Sequence, residues 1–432
     1  MRLAGHASAA MEVLAAILNR HQPAAVALRD WGRAHRFAGS RDRQVIGTIV
    51  FDVLRRKASL AWRMGDDSPR ALVLGWLRFE KGLEPEAIAA LAQERFGPGA
   101  LSSEEKARLV EPRPLDEAPA WVRADVPEWL FPQLAESLGG DEAAIAHGQA
   151  MARRAPLDIR VNTLKAGRDE VAERLARFAP QETPYSPWGL RFLPDAEGRL
   201  PNVEAEMAHG LGLFEVQDEG SQIAALLTGA RPGETVLDLC AGGGGKTLAL
   251  AAMMQNEGRI YAFDADRQRL RPMAERLLRA GVSNVEVIEP HMKDRLAALE
   301  GRMDMVLVDA PCTGTGTWRR RPDIKWRLKP AALEKRMTEQ DALLRQAMRH
   351  VQPGGRLVYV TCSLLQAENE ERIAALLAER PELKPVDWRK MWSETVADRQ
   401  PEAPAESPFL RLSPREHGTD GFFIAVLERA GA

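Results

Sequence analysis

The sequence predicts an α/β protein: a mostly parallel sheet covered on both faces by helices, preceded by a small α+β segment and an all-helical one. Three observations predict it. From about residue 216, short apolar runs alternate with amphipathic stretches in the order strand, helix, strand. Residues 1–135 instead repeat apolar side chains at three- and four-residue spacing. Pro112, Pro114, Pro119, Pro127 and Pro132 then crowd one stretch and mark a connection near 115–135. Three domains follow as the expectation, at 1–135, 136–215 and 216–432.

The helical segment is read from AAMEVLAAILNR, RQVIGTIVFDVLRR and SPRALVLGWLRFEKG. In the middle segment, LDIRVNTLK (157–165) alternates as a half-buried strand does. RDEVAERLARF reads as a short helix and YSPWGLRFLP as a further strand. The last segment opens with ETVLDLCAGGGGKTLALAAMM, which is strand, glycine loop and helix. RIYAFDAD is a strand, RQRLRPMAERLLRAG a helix, and NVEVIEP and MDMVLVDAPC are strands. AALEKRMTEQDALLRQAMRHV is a helix, GRLVYVTCS a strand and AENEERIAALLAER a helix. LRLSPREHGTDGFFIAVLER suggests two strands around a turn. In such sheets ligands bind beyond the carboxyl ends of the strands.

Composition excludes several classes. With 45% hydrophobic and 28% charged residues, the chain has the balance of a soluble globular protein. Its 432 residues can bury more than one core. Three cysteines, none in CxxC spacing, argue against a disulfide framework and a structural zinc site. No metal is expected. The amino terminus is a mildly apolar stretch broken by Glu12 and reads as an amphipathic helix rather than a signal peptide. No apolar run approaches a membrane span, so a cytoplasmic protein without membrane partners is expected. A net charge of −2 does not announce a nucleic-acid binder. Local charge says more, because WRRRPDIKWRLK (318–329) holds six basic residues and one acid. Standing alone it would read as a solvated loop and helix start. It follows DAPCTGTGT directly, however, and a compact basic patch neutralises phosphates whatever the bulk charge. Arg319, Arg320, Arg321 and Lys325 are the candidate phosphate contacts.

CAGGGGKT (240–247) invites a phosphate-loop reading. It fails GxxxxGK[ST], because Gly242 to Gly245 are consecutive and no glycine precedes them at the required spacing. What remains is a strand ending near Asp238, a glycine loop and a helix. One strand later, Asp264 ends YAFD, where a carboxylate can accept ribose hydroxyls. Two carboxylates beside a glycine loop suit an adenosine without phosphates, and the cationic S-adenosylmethionine fits. A nucleotide or flavin binder in a similar fold is the alternative.

Two of the three cysteines sit in DAPCTGTGT (309–317) and TCS (361–363), each after an apolar run. Methyl transfer to carbon 5 of a pyrimidine needs a thiolate at carbon 6, which turns the ring into an enamine. The thiol must later leave, and a second thiol or base could assist. Asp309 could hydrogen-bond the ring as charge develops. Small core residues at strand ends are the plain alternative; that suits Cys240 better than DAPC or TCS.

The motifs FEVQDEGSQ (214–222), LDLCAGGGGKT (237–247), FDAD (263–266), DAPCTGTGTWRRRPDIKW (309–326), TCSLLQAENE (361–370) and HGTDGFF (417–423) resemble the Nop/Sun (NSUN-type) RNA 5-methylcytosine methyltransferases, and within them the RsmB-like bacterial branch. They stand in the family's order, and DAPC together with TCS is highly specific. ALRDWGRAHRFAGSRDRQVIGTIVFDVLRR is similar, more weakly, to the NusB-like RNA-binding helical domain of that branch. The resemblance implies a Rossmann-like, S-adenosylmethionine-dependent domain acting on cytosine carbon 5 in RNA. It implies that Cys362 attacks the base, Cys312 promotes release and Asp309 contacts the cytosine. The cofactor set it implies, with the acids already read, is Asp238, Cys240, Ala241, Gly242, Gly243, Gly244, Gly245, Lys246, Asp264, Glu289 and Asp309. The family loop is usually CAAPGGKT, with Ala and Pro where this chain has Gly242 and Gly243. An acid near the adenine is usual after the third strand; here NVEVIEP offers Glu289, then Pro290 and His291, the last read as a surface residue. Ribosomal RNA is the expected partner, with transfer RNA open, and the chain is expected to be a monomer. A DNA cytosine methyltransferase would lack the TCS cysteine. A non-catalytic RNA-binding assembly factor would have no need of both thiols.

Overall fold

The computed structural model describes residues 1–195, 198–396 and 399–431. The chain divides into two compact units: Met1–Arg154 with Thr317–Pro330, and Ala155–Gly316 with Ala331–Ala432. No helix among the described residues is long and apolar enough to cross a membrane.

The first unit is helical. Its core is built from the helices Leu3–Asn19, Ser40–Arg55 and Pro69–Phe79, through Leu14, Ile17, Ile46, Val50, Leu72 and Leu74. Pro69 opens its helix after Ser68, whose hydroxyl accepts the Ala71 N–H, a favourable start because proline has no N–H to lose there. The unit runs to Arg154, through the helix Asp141–Met151, past the proline-rich stretch where the sequence suggested a boundary. It also takes in 317–330, the basic run. Lys325 is 1% exposed, and its Nζ donates to the carbonyls of Arg55 at 2.8 Å and Asp125 at 2.6 Å. Trp326 Nε1 donates to the Leu54 carbonyl at 2.6 Å. Asp323 accepts the Ala24 N–H at 3.2 Å, at the start of the helix Ala24–Ala34.

The second unit holds two sheets. Strands β1 (Leu157–Val161), β2 (Gln181–Glu182), β3 (Gly189–Phe192) and β4 (Phe214–Val216) form an antiparallel sheet in the order β2-β3-β1-β4. The larger sheet contains β5 (Thr235–Asp238), β6 (Arg259–Phe263), β7 (Val285–Ile288), β8 (Met303–Asp309), β9 (Val351–Thr361), β10 (Leu383–Val386), β11 (Leu410–Leu412) and β12 (Phe422–Arg429). Its order is β10-β12-β9-β8-β5-β6-β7, with β11 on β12. Strands β5 to β9 pair in parallel, and β12 pairs antiparallel with β9, β10 and β11.

Alternation along these strands feeds two cores. Val236, Leu307, Val358 and Ile424 enter one cluster; Leu237, Val306, Val308, Leu357, Tyr359 and Phe423 enter the other. Side chains of period two pointing to opposite faces, both covered, give near-continuous apolar strands. The chain runs outward from β5 through β6 to β7, then returns to place β8 on the other side of β5. This reversal opens a crevice beyond the carboxyl ends of β5 and β8.

The sequence suggested one helix across RQRLRPMAERLLRAG. The structure has two, Arg267–Leu270 and Met273–Ala280, because Pro272 lacks the N–H that would continue the ladder.

Candidate active site

The crevice collects the ends of four parallel strands. Asp238 ends β5, Asp264 follows β6, Asp309 ends β8 and Cys362 follows β9. Register explains why the cysteines meet. Strands β8 and β9 pair with Asp309 opposite Val360, so Cys312 and Cys362 lie three and two residues past one rung of the ladder. Their Sγ atoms are 3.3 Å apart, and both residues are partly exposed. The Cys362 carbonyl accepts the Gly316 N–H at 2.9 Å, which folds the first loop onto the second. The hydrogen bond to the other sulfur, and then desolvation, push the Cys312 thiol well above its usual range. Cys240 is buried, and burial with the carboxylates of Asp238, Asp264 and Asp309 raises its thiol too. It is a wall residue rather than a nucleophile.

The glycine loop is fixed at many points. Gly242 and Gly244 adopt φ of +52° and +84°, where a side chain would be strained. A Cβ at Gly242 would stand 3.2 Å from the Arg269 guanidinium, and one at Gly244 3.2 Å from Met273. The Gly242 N–H donates to Asp264 Oδ2 at 3.0 Å, and the Ala241 N–H donates to the Phe263 carbonyl at 2.9 Å. Arg276 donates to the Gly243 carbonyl, and the buried Arg160 to the Gly245 carbonyl at 2.8 Å. These bonds hold the Gly242–Gly243 turn.

The carboxylates have different surroundings. Asp238 is 1% exposed; Oδ2 accepts the Thr247 hydroxyl at 2.7 Å, and Oδ1 is buried with no partner among the described residues. Burial, aided by Asp309 and Asp264 and opposed by Thr247 and Lys246, pushes it up to about 7. Asp264 also accepts the Asp266 N–H at 2.8 Å and pairs with Arg269 at 3.1 Å. Asp309 pairs with Lys246, Nζ to Oδ2 2.7 Å, and this ammonium lies 5.3 Å from the centre of the Phe422 ring. The pair ties the helix after the glycine loop to the end of β8. Glu289 sits at the rim, paired with Arg267 at 3.0 Å and His291 at 3.3 Å. Beside it lies a cavity of about 660 Å³, lined by Arg267, Leu270, Met273, Val287 and Glu289.

The structure thus brings Asp238, the 240–246 loop, Asp264, Asp309, Cys312 and Cys362 to one edge of one sheet. Two of the four candidate phosphate contacts in the basic run, Arg319 and Lys325, are buried rather than exposed. Arg319 is 4% exposed, with its carbonyl accepting from Arg55 Nε at 2.8 Å, and Lys325 is enclosed by carbonyls. Arg320 is partly exposed and Arg321 exposed. The Lys246–Asp309 pair and the ring of Phe422 were not anticipated. Phe422 lies within HGTDGFF, a motif quoted without a role. No group of three or more His, Cys, Asp or Glu side chains among the described residues could hold a metal ion.

The family model for the 16S rRNA methyltransferase RsmB/F matches residues 225–428, and that for the RsmF/B-like ferredoxin-like domain matches 126–194. The chain is 34% identical over 311 residues to a probable ribosomal RNA small subunit methyltransferase B of Synechocystis sp., an alignment covering 70% of this chain and 67% of that one. It is 33% identical over 280 residues to the ribosomal RNA small subunit methyltransferase F of Cronobacter sakazakii, covering 63% of this chain and 57% of that one. The crystal structure of PH0851 superposes with a TM-score of 0.74 at 28% identity, covering 99% of both chains. Fold and site together define a Rossmann-like methyltransferase unit carrying a small ferredoxin-like domain. The chain belongs to the RsmB/F methyltransferase family. It spans about two thirds of the first relative's length and less of the second's.

Proposed function

We propose that this protein methylates carbon 5 of a cytosine in RNA, with small-subunit ribosomal RNA as the substrate and S-adenosylmethionine as the donor. The observation that carries the reading is the pair of thiols 3.3 Å apart at the ends of adjacent strands, beside the Asp309–Lys246 pair. The names of the relatives support the RNA class. The helical unit is read as NusB-like on the resemblance of residues 27–56 alone.

The residues present fit the donor. Asp238 Oδ1 is a buried acceptor without a partner among the described residues, suited to a cationic group. Asp264 retains lone pairs for ribose hydroxyls beyond the two backbone N–H bonds it accepts and its pairing with Arg269. The cavity at Glu289 takes the adenine end. When bound, S-adenosylmethionine supplies the methyl group.

The chain's own residues do the rest. Cys362, as thiolate, forms a bond from Sγ to carbon 6 of the cytosine. The ring's 5,6 double-bond electrons move to carbon 5, which becomes nucleophilic. Asp309, aligned by Lys246, hydrogen-bonds the ring as charge develops there. After methylation a base takes the carbon 5 proton, the 5,6 double bond re-forms and the bond from carbon 6 to Cys362 breaks. Solvent water is that base, and Cys312, whose thiol is held protonated by its neighbour and desolvation, gives its proton to the departing Cys362 sulfur 3.3 Å away. Arg320 and Arg321 contact phosphates.

The test is transfer of labelled methyl from S-adenosylmethionine to small ribosomal subunit RNA, with bisulfite sequencing of RNA from a deletion strain. Label at one cytosine, lost in the deletion, is the expected result. Label found only in transfer RNA would move the substrate; no label in any RNA would reject the activity.

A further inference from the structure

The proposed chemistry needs two thiols held together, yet they stand on separate loops. One buried carboxylate joins those loops. Glu368 ends the short turn Gln366–Glu368 and has 0% exposure. Its Oε1 accepts the Thr313 N–H at 2.8 Å and Gln340 Nε2 at 3.0 Å. Its Oε2 accepts the Thr313 hydroxyl and, at 2.5 Å, the Ser363 hydroxyl. Thr313 follows Cys312, and Ser363 follows Cys362. One side chain therefore bonds to the residue after each cysteine.

The carboxylate is itself fixed. Tyr359 in β9 donates its hydroxyl to the Glu368 carbonyl at 2.7 Å. Asn369 Oδ1 accepts the Thr361 hydroxyl at 2.6 Å, while its Nδ2 donates to the Ser363 carbonyl at 2.9 Å. Thr315 Oγ1 lies 3.1 Å from Ser363 Oγ and accepts the Leu364 N–H at 2.8 Å. A buried carboxylate is costly unless its lone pairs are met, and here four donors converge on one. Packing alone would be served better by an apolar side chain. What the carboxylate adds is direction, because two parallel strands fix only the starts of the loops, not where the thiols end.

We propose that Glu368 is a positioning residue that sets the spacing of the Cys312 and Cys362 thiols by accepting hydrogen bonds from Thr313 and Ser363. The inference rests on the reading of these thiols as the reacting pair. Among the described residues neither sulfur bonds to Glu368, so it acts through the loops and not on the substrate.

Phenylarsine oxide provides the test, since its arsenic bonds two thiols with loss of one water and grips only a closely spaced pair. The wild-type chain should bind one arsenical per chain, and the single variants Cys312→Ala and Cys362→Ala should lose that grip. Glu368→Ala should bind roughly tenfold or more weakly, as expected for lost bonds to a charged group, with its affinity for S-adenosylmethionine kept. Thr313→Val, which removes one donor at nearly constant volume, should show a smaller loss in the same direction and stands in if Glu368→Ala does not fold. In methyl transfer, Glu368→Gln should lower kcat while leaving KM for the donor unchanged. Arsenical affinity unchanged in a folded Glu368→Ala chain, or in Thr313→Val if that is the variant that folds, would overturn the proposal. The arsenical reading needs neither RNA nor donor. A wild-type chain that fails to methylate RNA would therefore reject the function while this spacing role is judged separately.

Discussion

Asp238→Asn removes a buried charge whose state should control donor binding. In the free protein, burial first, with Asp309 and Asp264 adding, holds Asp238 at about 7. A cation placed at the unpartnered Oδ1 needs the carboxylate form, so binding below that value must release a proton. With a value near 7, the ionised fraction rises from about 0.1 at about pH 6 to about 0.9 at about pH 8. Affinity for S-adenosylmethionine should therefore rise roughly tenfold across that interval, or about 1.4 kcal/mol. Asp238→Asn should flatten the profile and bind more weakly at the upper end. Calorimetry in buffers of different ionisation enthalpy reads both affinity and protons released. The stability of the free protein provides the matching sign. The folded value is raised above the unfolded aspartate value of about 3.9, so this group's contribution is full below that value and is lost as pH rises through about 7. Donor should restore part of it. Wild-type affinity that stays flat from about pH 6 to about pH 8, with no proton released, would refute the placement of a cation at Asp238.

Four further outcomes are expected. Cys312→Ala should leave the enzyme bonded to methylated RNA, seen as an RNA-linked band on a denaturing gel, whereas Cys362→Ala and the double variant should form none; a band only with Cys362→Ala would reverse the two roles. Asp264→Ala should weaken donor binding by roughly 1.5–3 kcal/mol, since it loses both the ribose acceptor and the anchor of the Gly242 N–H, and unchanged affinity by calorimetry would reject both. Replacing Arg320 and Arg321 with Ala should weaken RNA binding and flatten its salt dependence. Lys325→Ala should instead lower unfolding stability by about 3 kcal/mol, because it strands the Arg55 and Asp125 carbonyls, and the opposite assignment of these effects would restore Lys325 to the RNA surface.

What the sequence revealed depends on how far apart partners lie along the chain. The placement of the glycine loop, Asp264 and the two cysteines at strand ends was legible because each lies within a few residues of a recognisable apolar run. The break at Pro272 was available in the same way, but the apolar period continued through it and prevailed in the reading. The edge strand β10 was not legible: it is four residues long and carries Pro385, so it lacks both length and a strand composition. The Lys246–Asp309 pair spans 63 positions, and the carbonyls around Lys325 stand 270 and 200 positions away. Charge in a short run says nothing of such partners, so a buried ammonium and an exposed one look alike in WRRRPDIKWRLK.

Glu368 is the sharpest instance. In AENEE it reads as one of several acids opening a helix, where negative charge is favoured by the helix dipole. That reading suits Glu371, which is exposed, and Glu370, which is partly exposed and pairs with Arg411 at 2.6 Å. It fails for Glu368, which ends the turn Gln366–Glu368 two residues before the helix Glu370–Glu379 begins and points the other way, into Thr313 and Ser363. Only the pairing of β8 with β9 brings Thr313, 55 positions away, within reach of it. A carboxylate that costs free energy to bury is retained where it determines a distance that side-chain volume alone leaves free, and here that distance lies between two sulfurs.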